Sequence, residues 1–175
     1  MELNGKTVAI LVENLYQELE VWYPLLRFRE AGARVLTVGQ EAGQTYTSKH
    51  GYPVVADRAL AQISAGELDA LVIPGGYAPD ILRRYPKALD LVRDMNAAGK
   101  IVAAICHAAW VLCSAGILKG RRATCFFAIK DDLINAGASY VDEEVVVDGN
   151  LITSRKPDDL PAFCREIIAA LRGAR

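Results

Sequence analysis

Cys106 and His107 stand side by side in KIVAAICHAAWVL (residues 100–112), between an apolar run and a segment of helical period, and His107 is one of two histidines in the chain. A thiol and an imidazole suit nucleophilic catalysis: the thiolate attacks, an imidazole within hydrogen-bond reach moves the proton, and a carboxylate orients the ring. Ala104 and Ala108 flank the cysteine at minus two and plus two. A sharp strand-to-helix turn has no room for bulk there, and glycines serve the same purpose around the serine of a nucleophile elbow. At a helix N-terminus a thiol meets unpaired N–H groups and the positive end of the dipole, which predicts a pKa below the free value of about 8.5. The pattern also fits a small buried hydrophobe, since free cysteines are among the most buried residue types, and local pattern leaves both readings open. The carboxylate candidate is Asp80 in PGGYAPDIL. Gly75 and Gly76 of the same segment permit the close approach of backbone N–H groups that an oxyanion site requires.

The elements around these residues must bring them together. Apolar runs of strand length alternate with longer segments of helical period. TVAILVE (7–13), RVLTVG (34–39), DALVIPGG (69–76) and IVAAIC (101–106) read as strands, the last apolar throughout as in a strand covered on both faces. QELEVWYPLLRFREAG (17–32) reads as a helix with Leu19, Trp22, Tyr23, Leu26 and Phe28 mostly on one face. Helices are also predicted over 84–100, 107–116, 129–137 and 157–173, the last with Asp158 or Asp159 as N-cap and Pro161 in its first turn. TYTSKHGYPVVAD (45–57) predicts a small antiparallel excursion turned at His50–Gly51, and SYVDEEVVVDGNLITS (139–154) a hairpin on Asp148–Gly149. This alternation predicts one α/β domain over residues 1–175, a doubly wound, mainly parallel sheet flanked by helices. In such a sheet ligands bind beyond the carboxyl ends of the strands, where Cys106 and Asp80 both fall.

Composition narrows the partners. Hydrophobic residues make up 52% and charged residues 23% of 175, with a formal net charge of −1. That balance gives no disorder signal, no nucleic-acid footprint and no polybasic membrane patch, so small molecules or protein are the expected partners. KTVAILVE is too short for a signal-peptide core and no apolar run approaches about 18 residues, which predicts a cytoplasmic chain. Cys106, Cys113, Cys125 and Cys164 lack paired CxxC spacing and read as free thiols; no metal and no cofactor is expected. Cys113, Cys125 and Cys164 read as packing residues, and His50 as a loop contact at a subunit interface. Trp22, Tyr23 and Trp110 read as core residues that could also wall a pocket.

Taken in order, SKHGYPVVAD, DALVIPGGYAPD, AAICHAAWVLCSAGILKGRRAT and IKDDLINAGASYVDEEVVVDGNLITSRKPDDLPAF give the chain, over nearly its whole length, a resemblance to the PfpI-like superfamily of intracellular cysteine proteases, glyoxalases and protein deglycases. The resemblance implies the class I glutamine amidotransferase-like (flavodoxin-like) fold, Cys106 as reactive nucleophile, His107 as its adjacent histidine, and the amides of Gly76 and His107 as oxyanion contacts. It also implies a homodimer or hexamer in which an acid reaches the histidine of a neighbouring subunit; Asp80 takes that position, where a glutamate is common. The family's glutamate beside the cysteine sulfur falls, in an ungapped alignment, on Gln17, which donates a hydrogen bond but cannot shuttle a proton. Glu13, Glu18 and Glu20 lie near it and could substitute, although each reads first as a solvated helix-start charge. Two functions follow: a stress-response cysteine hydrolase acting on peptides or dicarbonyl adducts, or a non-catalytic redox-responsive protein whose Cys106 is oxidised to sulfenic or sulfinic acid beside Gln17.

Overall fold

The computed structural model describes residues 1–173. Its strands are β1 (Thr7–Leu11), β2 (Arg34–Gly39), β3 (Thr45–Thr47), β4 (Pro53–Val55), β5 (Arg58–Ala59), β6 (Ala70–Ile73), β7 (Ile101–Ile105), β8 (Arg122–Ala123), β9 (Ser139–Tyr140), β10 (Val145–Asp148) and β11 (Leu151–Ser154). The helices are α1 (Glu18–Glu30), α2 (Ala78–Leu82), α3 (Pro86–Ala97), α4 (Ala109–Ala115), α5 (Lys130–Asn135) and α6 (Leu160–Leu171). Seven strands form the main sheet in the order β10-β11-β7-β6-β1-β2-β5. All its neighbours run parallel except the edge hairpin β10–β11.

Side chains alternate across this sheet and feed two cores. Val8 and Ile10 pack with Phe28 of α1 and Phe163 and Ile167 of α6 on one face. Ala9 and Leu11 pack with Leu91, Val92 and Met95 of α3 and Leu112 of α4 on the other. Strands covered on both faces bury every residue, as β6 and β7 do, which is why their sequences read as unbroken apolar runs. From β1 the chain moves outward to β2 and β5, then returns to place β6 on the opposite side of β1. The segments leaving β1 and β6 therefore diverge from adjacent strand ends and open a crevice there, with the end of β7 next to it.

Two local expectations need correction. On α1 the buried face is Glu20, Val21, Pro24, Leu25 and Phe28, whereas Leu19 and Leu26 are 55% and 59% exposed. The helix expected over 84–100 is α3, started by Pro86, and a separate short helix, α2, precedes it. Within 139–154 only β10 and β11 form the hairpin, while β9 pairs in parallel with β8. The N-cap of α6 is Asp159, but its carboxylate bonds Arg155 instead of the helix N–H groups.

Candidate functional site

Cys106 follows directly on β7 and adopts φ +63°, in the left-handed region that non-glycine residues seldom occupy. A single turn of 3-10 helix, Cys106–Ala108, then leads into α4. The strain has a geometric result: it turns the thiol out of the sheet into the crevice. The Phe126 N–H donates to the Cys106 carbonyl at 3.2 Å, so the elbow also fixes the aromatic wall opposite. Around Sγ stand the Nδ1 of His107 at 3.2 Å, the N–H groups of His107 and Gly76, and the carboxyl of Glu20.

Glu20 reaches the sulfur from α1. Its Oε2 accepts from the Gly75 N–H at 2.6 Å, and its Oε1 makes no hydrogen bond of good geometry, leaving the thiol as a loosely held neighbour. The residue is fully buried, and burial pushes its pKa up to about 8 despite the Gly75 N–H, the thiol and the Lys49 charge, which all pull down. Near neutrality Glu20 is thus a protonated acid beside a thiol. Burial, and then the negative charge of an ionised Glu20, push Cys106 up to about 12, while the His107 and Gly76 N–H groups pull it down. The two groups influence each other's ionisation, and the thiolate is favoured when Glu20 keeps its proton. The lowered thiol pKa expected from the helix end alone is overturned, because two N–H groups do not outweigh burial next to a carboxyl.

His107 is half-buried; its ring stacks on Phe126 with centroids 4.9 Å apart and meets Trp110 edge-on at 5.1 Å. Burial, with Lys49 acting in the same direction, lowers its pKa, so the ring is neutral at pH 7 and can accept a proton. Trp110 is braced by its Nε1–H to Asp132 at 2.8 Å and by the Arg83 guanidinium 5.8 Å above its ring. These groups line a pocket of about 390 Å³, closed on its other sides by Leu15, Gln17, Lys49 and Tyr77.

The glycine pair sits where it must. At Gly75 a Cβ would lie 2.5 Å from Glu20 Oε2 and 2.7 Å from the Cys106 Cβ; Gly76 combines φ +79° with backbone of Leu15, Tyr16 and Gln17 at 2.5 to 2.7 Å from such an atom. Only the Gly76 N–H faces the sulfur. The Gly75 N–H holds Glu20, so Gly75 is corrected from an oxyanion donor to a carboxylate anchor. Gln17 is corrected too: as N-cap of α1 its side-chain oxygen accepts from the Glu20 N–H at 3.0 Å, and it is Glu20, three residues on, that meets the cysteine. Within this chain Asp80 pairs with Arg84, and among the described residues no carboxylate bonds His107. Cys125 and Cys164 are buried as expected, while Cys113 is only partly so. His50 bonds Glu18 within the chain.

Sequence reasoning names Glu20 only among three possible substitutes for Gln17 and favours a solvated charge. The available signal was its position: Glu20, Pro24 and Phe28 recur every four residues, so an acid heads the stripe that faces the core.

A buried acid with a raised pKa leaves a mark on stability. The unfolded carboxyl ionises near 4.5 and the folded one near 8, so its contribution is fully present below about 4.5 and is lost as pH rises to about 8. Unfolding free energy is expected to fall across that window by up to roughly 1.4 kcal/mol per pH unit from this group. Denaturant titrations at pH 5 and pH 8 should show a markedly smaller fall in a Glu20→Gln variant; equal falls would place the proton elsewhere.

Residues 6–170 match the DJ-1/PfpI family. The chain is 46% identical over 165 residues to a protein of Pyrococcus abyssi named a deglycase, covering 94% of this chain and 99% of that one. It is 42% identical over 168 residues to the putative cysteine protease YraA of Bacillus subtilis, covering 96% and 99%. Among solved structures it resembles a two-domain protein of Anabaena variabilis containing DJ-1/ThiJ/PfpI-like and ferritin-like domains, at TM-score 0.93 and 44% identity. That match covers 95% of this chain and 48% of the other, so the chain spans about half the length of that protein.

Proposed function

The chain belongs to the DJ-1/PfpI family, and we propose that it is a cysteine-dependent hydrolase of carbonyl compounds, acting as a deglycase on dicarbonyl adducts in the stress response. The observation that carries this reading is the placement of one buried acid, Glu20, against one strained cysteine, Cys106, in a pocket. Neutral His107 takes the Cys106 thiol proton as Sγ attacks the carbinol carbon that carries the amine: the C–S bond forms, the C–N bond breaks and Glu20 gives its proton to the departing amine, while the N–H groups of Gly76 and His107 stand as donors to the oxygen. As carboxylate, Glu20 then takes the proton from the sulfur-bearing carbon and delivers it to the adjacent carbonyl carbon, the proton on His107 passing between the two oxygens, so the hemithioacetal rearranges to a thioester. Water loses a proton to Glu20 and attacks the thioester, the C–S bond breaks, His107 returns its proton to the thiolate, and a hydroxy acid leaves. A pocket of about 390 Å³ suits a small carbonyl fragment better than a run of peptide. The redox-responsive alternative drew its weight from Gln17 at the sulfur, and Gln17 instead caps α1.

The reading extends to assembly and place. The α1 stripe of Leu19, Tyr23 and Leu26 is exposed, and His107 has no carboxylate partner among the described residues, which supports a homo-oligomer in which Asp80 of a neighbouring copy orients the ring. Four free thiols suit a reducing cytoplasm, and no described helix is long and apolar enough to cross a membrane.

The test uses a short peptide whose lysine carries a methylglyoxal adduct. Release of free lysine and lactate, with a transient acyl mass on the peptide containing Cys106, is the expected result. Unchanged adduct, or equal release by protein already alkylated at Cys106, would contradict it.

A further inference from the structure

We propose that Lys49 is a specificity residue that makes this pocket select carbonyl substrates carrying a carboxylate next to the reacting carbon. The inference deepens the hydrolase reading above and rests on it for turnover, though not for the test below.

Lys49 lines the pocket together with Cys106 and His107. Among the described residues it takes part in no ion pair. The other titratable groups facing the cavity are neutral near pH 7: Glu20 is protonated, His107 is uncharged, and the Cys106 thiol is pushed up. Among the described residues that line the pocket Lys49 is therefore the one full charge; its side chain is exposed, yet its field reaches the site, since it acts on both Glu20 and His107. A lone cation beside a mostly apolar cleft draws anions toward it, by an amount that salt screens.

The backbone that carries Lys49 is held in place. Its own N–H donates to the Tyr16 carbonyl at 3.0 Å, beside the α1 N-terminus. One residue before it, the Ser48 hydroxyl donates to Glu18 and accepts from the Tyr52 N–H at 2.9 Å; one residue after, the His50 N–H and ring both bond Glu18, at 2.9 and 3.0 Å. Burial alone would raise the pKa of Glu18, but these bonds win and hold it at about 2, so the clamp stays ionised over the working pH range. Three consecutive residues are thus pinned to the start of the helix that carries Glu20. A loop serving only as a turn needs no such anchoring, whereas a cation that must meet a carboxylate at one position does.

Two alkylating reagents that differ only in charge separate this role from reactivity of the thiol. Iodoacetate presents a carboxylate beside the reacting carbon, and iodoacetamide presents a neutral amide of the same shape. Rates at Cys106 would be followed by peptide mass spectrometry at pH 7.5, and the iodoacetate-to-iodoacetamide ratio compared between the native protein, Lys49→Met and Lys49→Arg. Any effect of Lys49 on the ionisation of Cys106 changes both rates together and leaves the ratio alone, and its effect on Glu20 works against the expected drop, since losing the cation favours protonated Glu20, which repels iodoacetate less. The ratio is expected to drop about fivefold or more in Lys49→Met, to be largely restored in Lys49→Arg, and to decline in the native protein as salt is raised. An unchanged ratio in Lys49→Met overturns the proposal. If neither reagent labels Cys106 in the folded protein, both this inference and the hydrolase reading fail. Iodoacetamide labelling with an unchanged ratio removes Lys49 alone and leaves the nucleophile standing.

Discussion

Replacing Glu20 with glutamine is expected to lower turnover of dicarbonyl adducts by about 10²- to 10⁴-fold, the usual contribution of a positioned acid–base group. The same change should leave Cys106 open to alkylation. Glutamine can accept from the Gly75 N–H as Glu20 does, at a site where the carboxyl already spends neutral pH uncharged, so the packing is preserved. Above about pH 8 it also removes the negative charge that raises the thiol, and the thiolate there forms more readily than in the native pair. Loss of turnover without loss of thiol reactivity is the specific signature of missing proton transfer. A parallel loss of both would mean that Glu20 only shapes the pocket, and retained turnover would remove it from the chemistry.

The second large effect concerns the backbone junction under the site. Gly76→Ala should destabilise the protein by about 3 kcal/mol or more, lowering Tm by roughly 6–12 °C for a chain of this size, and should abolish turnover. Two costs combine: φ is +79°, and the added Cβ meets the Leu15 carbonyl oxygen and the Gln17 nitrogen at 2.5 Å, both backbone atoms with no rotamer to yield. Those atoms belong to the bridge between Tyr16 and Gly76, with the Tyr77 N–H on the Leu15 carbonyl at 2.8 Å, so relieving the clash parts the α1 start from the end of β6. Gly99→Ala is the control. Gly99 has φ +67° but open space around its Cβ position, and it should show the conformational cost of about 1 kcal/mol alone. Equal losses in the two variants would deny the close approach at Gly76 any special role.

The sheet and the elbow were legible because their signals are local. Unbroken apolar runs at 69–73 and 101–105 mark doubly covered strands, and small residues on both sides of Cys106 mark a tight turn. Glu20 was illegible for the opposite reason. The apolar stripe drawn through Leu19, Trp22, Tyr23, Leu26 and Phe28 mixed the two faces of α1, since Phe28 is buried but Leu19, Tyr23 and Leu26 are exposed, and an acid on the true face then looked solvated. An ungapped alignment added to the error by setting Gln17, the helix cap, where the carboxylate belongs; cap and acid lie within one turn, and sequence order does not say which side chain turns toward β7. The direction of the Cys106 shift was misjudged because helix-end N–H groups can be counted from sequence, whereas burial and a neighbour from a distant helix cannot. Lys49 went unnoticed because a polar turn in SKHGYP gives no hint that it folds back over a strand end.

The central claim is that Cys106 and Glu20 titrate as a coupled pair, and the pH profile of Cys106 alkylation by iodoacetamide measures it most directly. Native protein and Glu20→Gln would be followed side by side, with Cys113, Cys125 and Cys164 as slow internal controls. In the native protein the proton lost near pH 8 is that of Glu20, whose charge then opposes the thiolate, so the rate is predicted to rise only toward about 12; Glu20→Gln should rise at a distinctly lower pH. Superimposable profiles in the two proteins would contradict the coupling and, with it, the role given to Glu20.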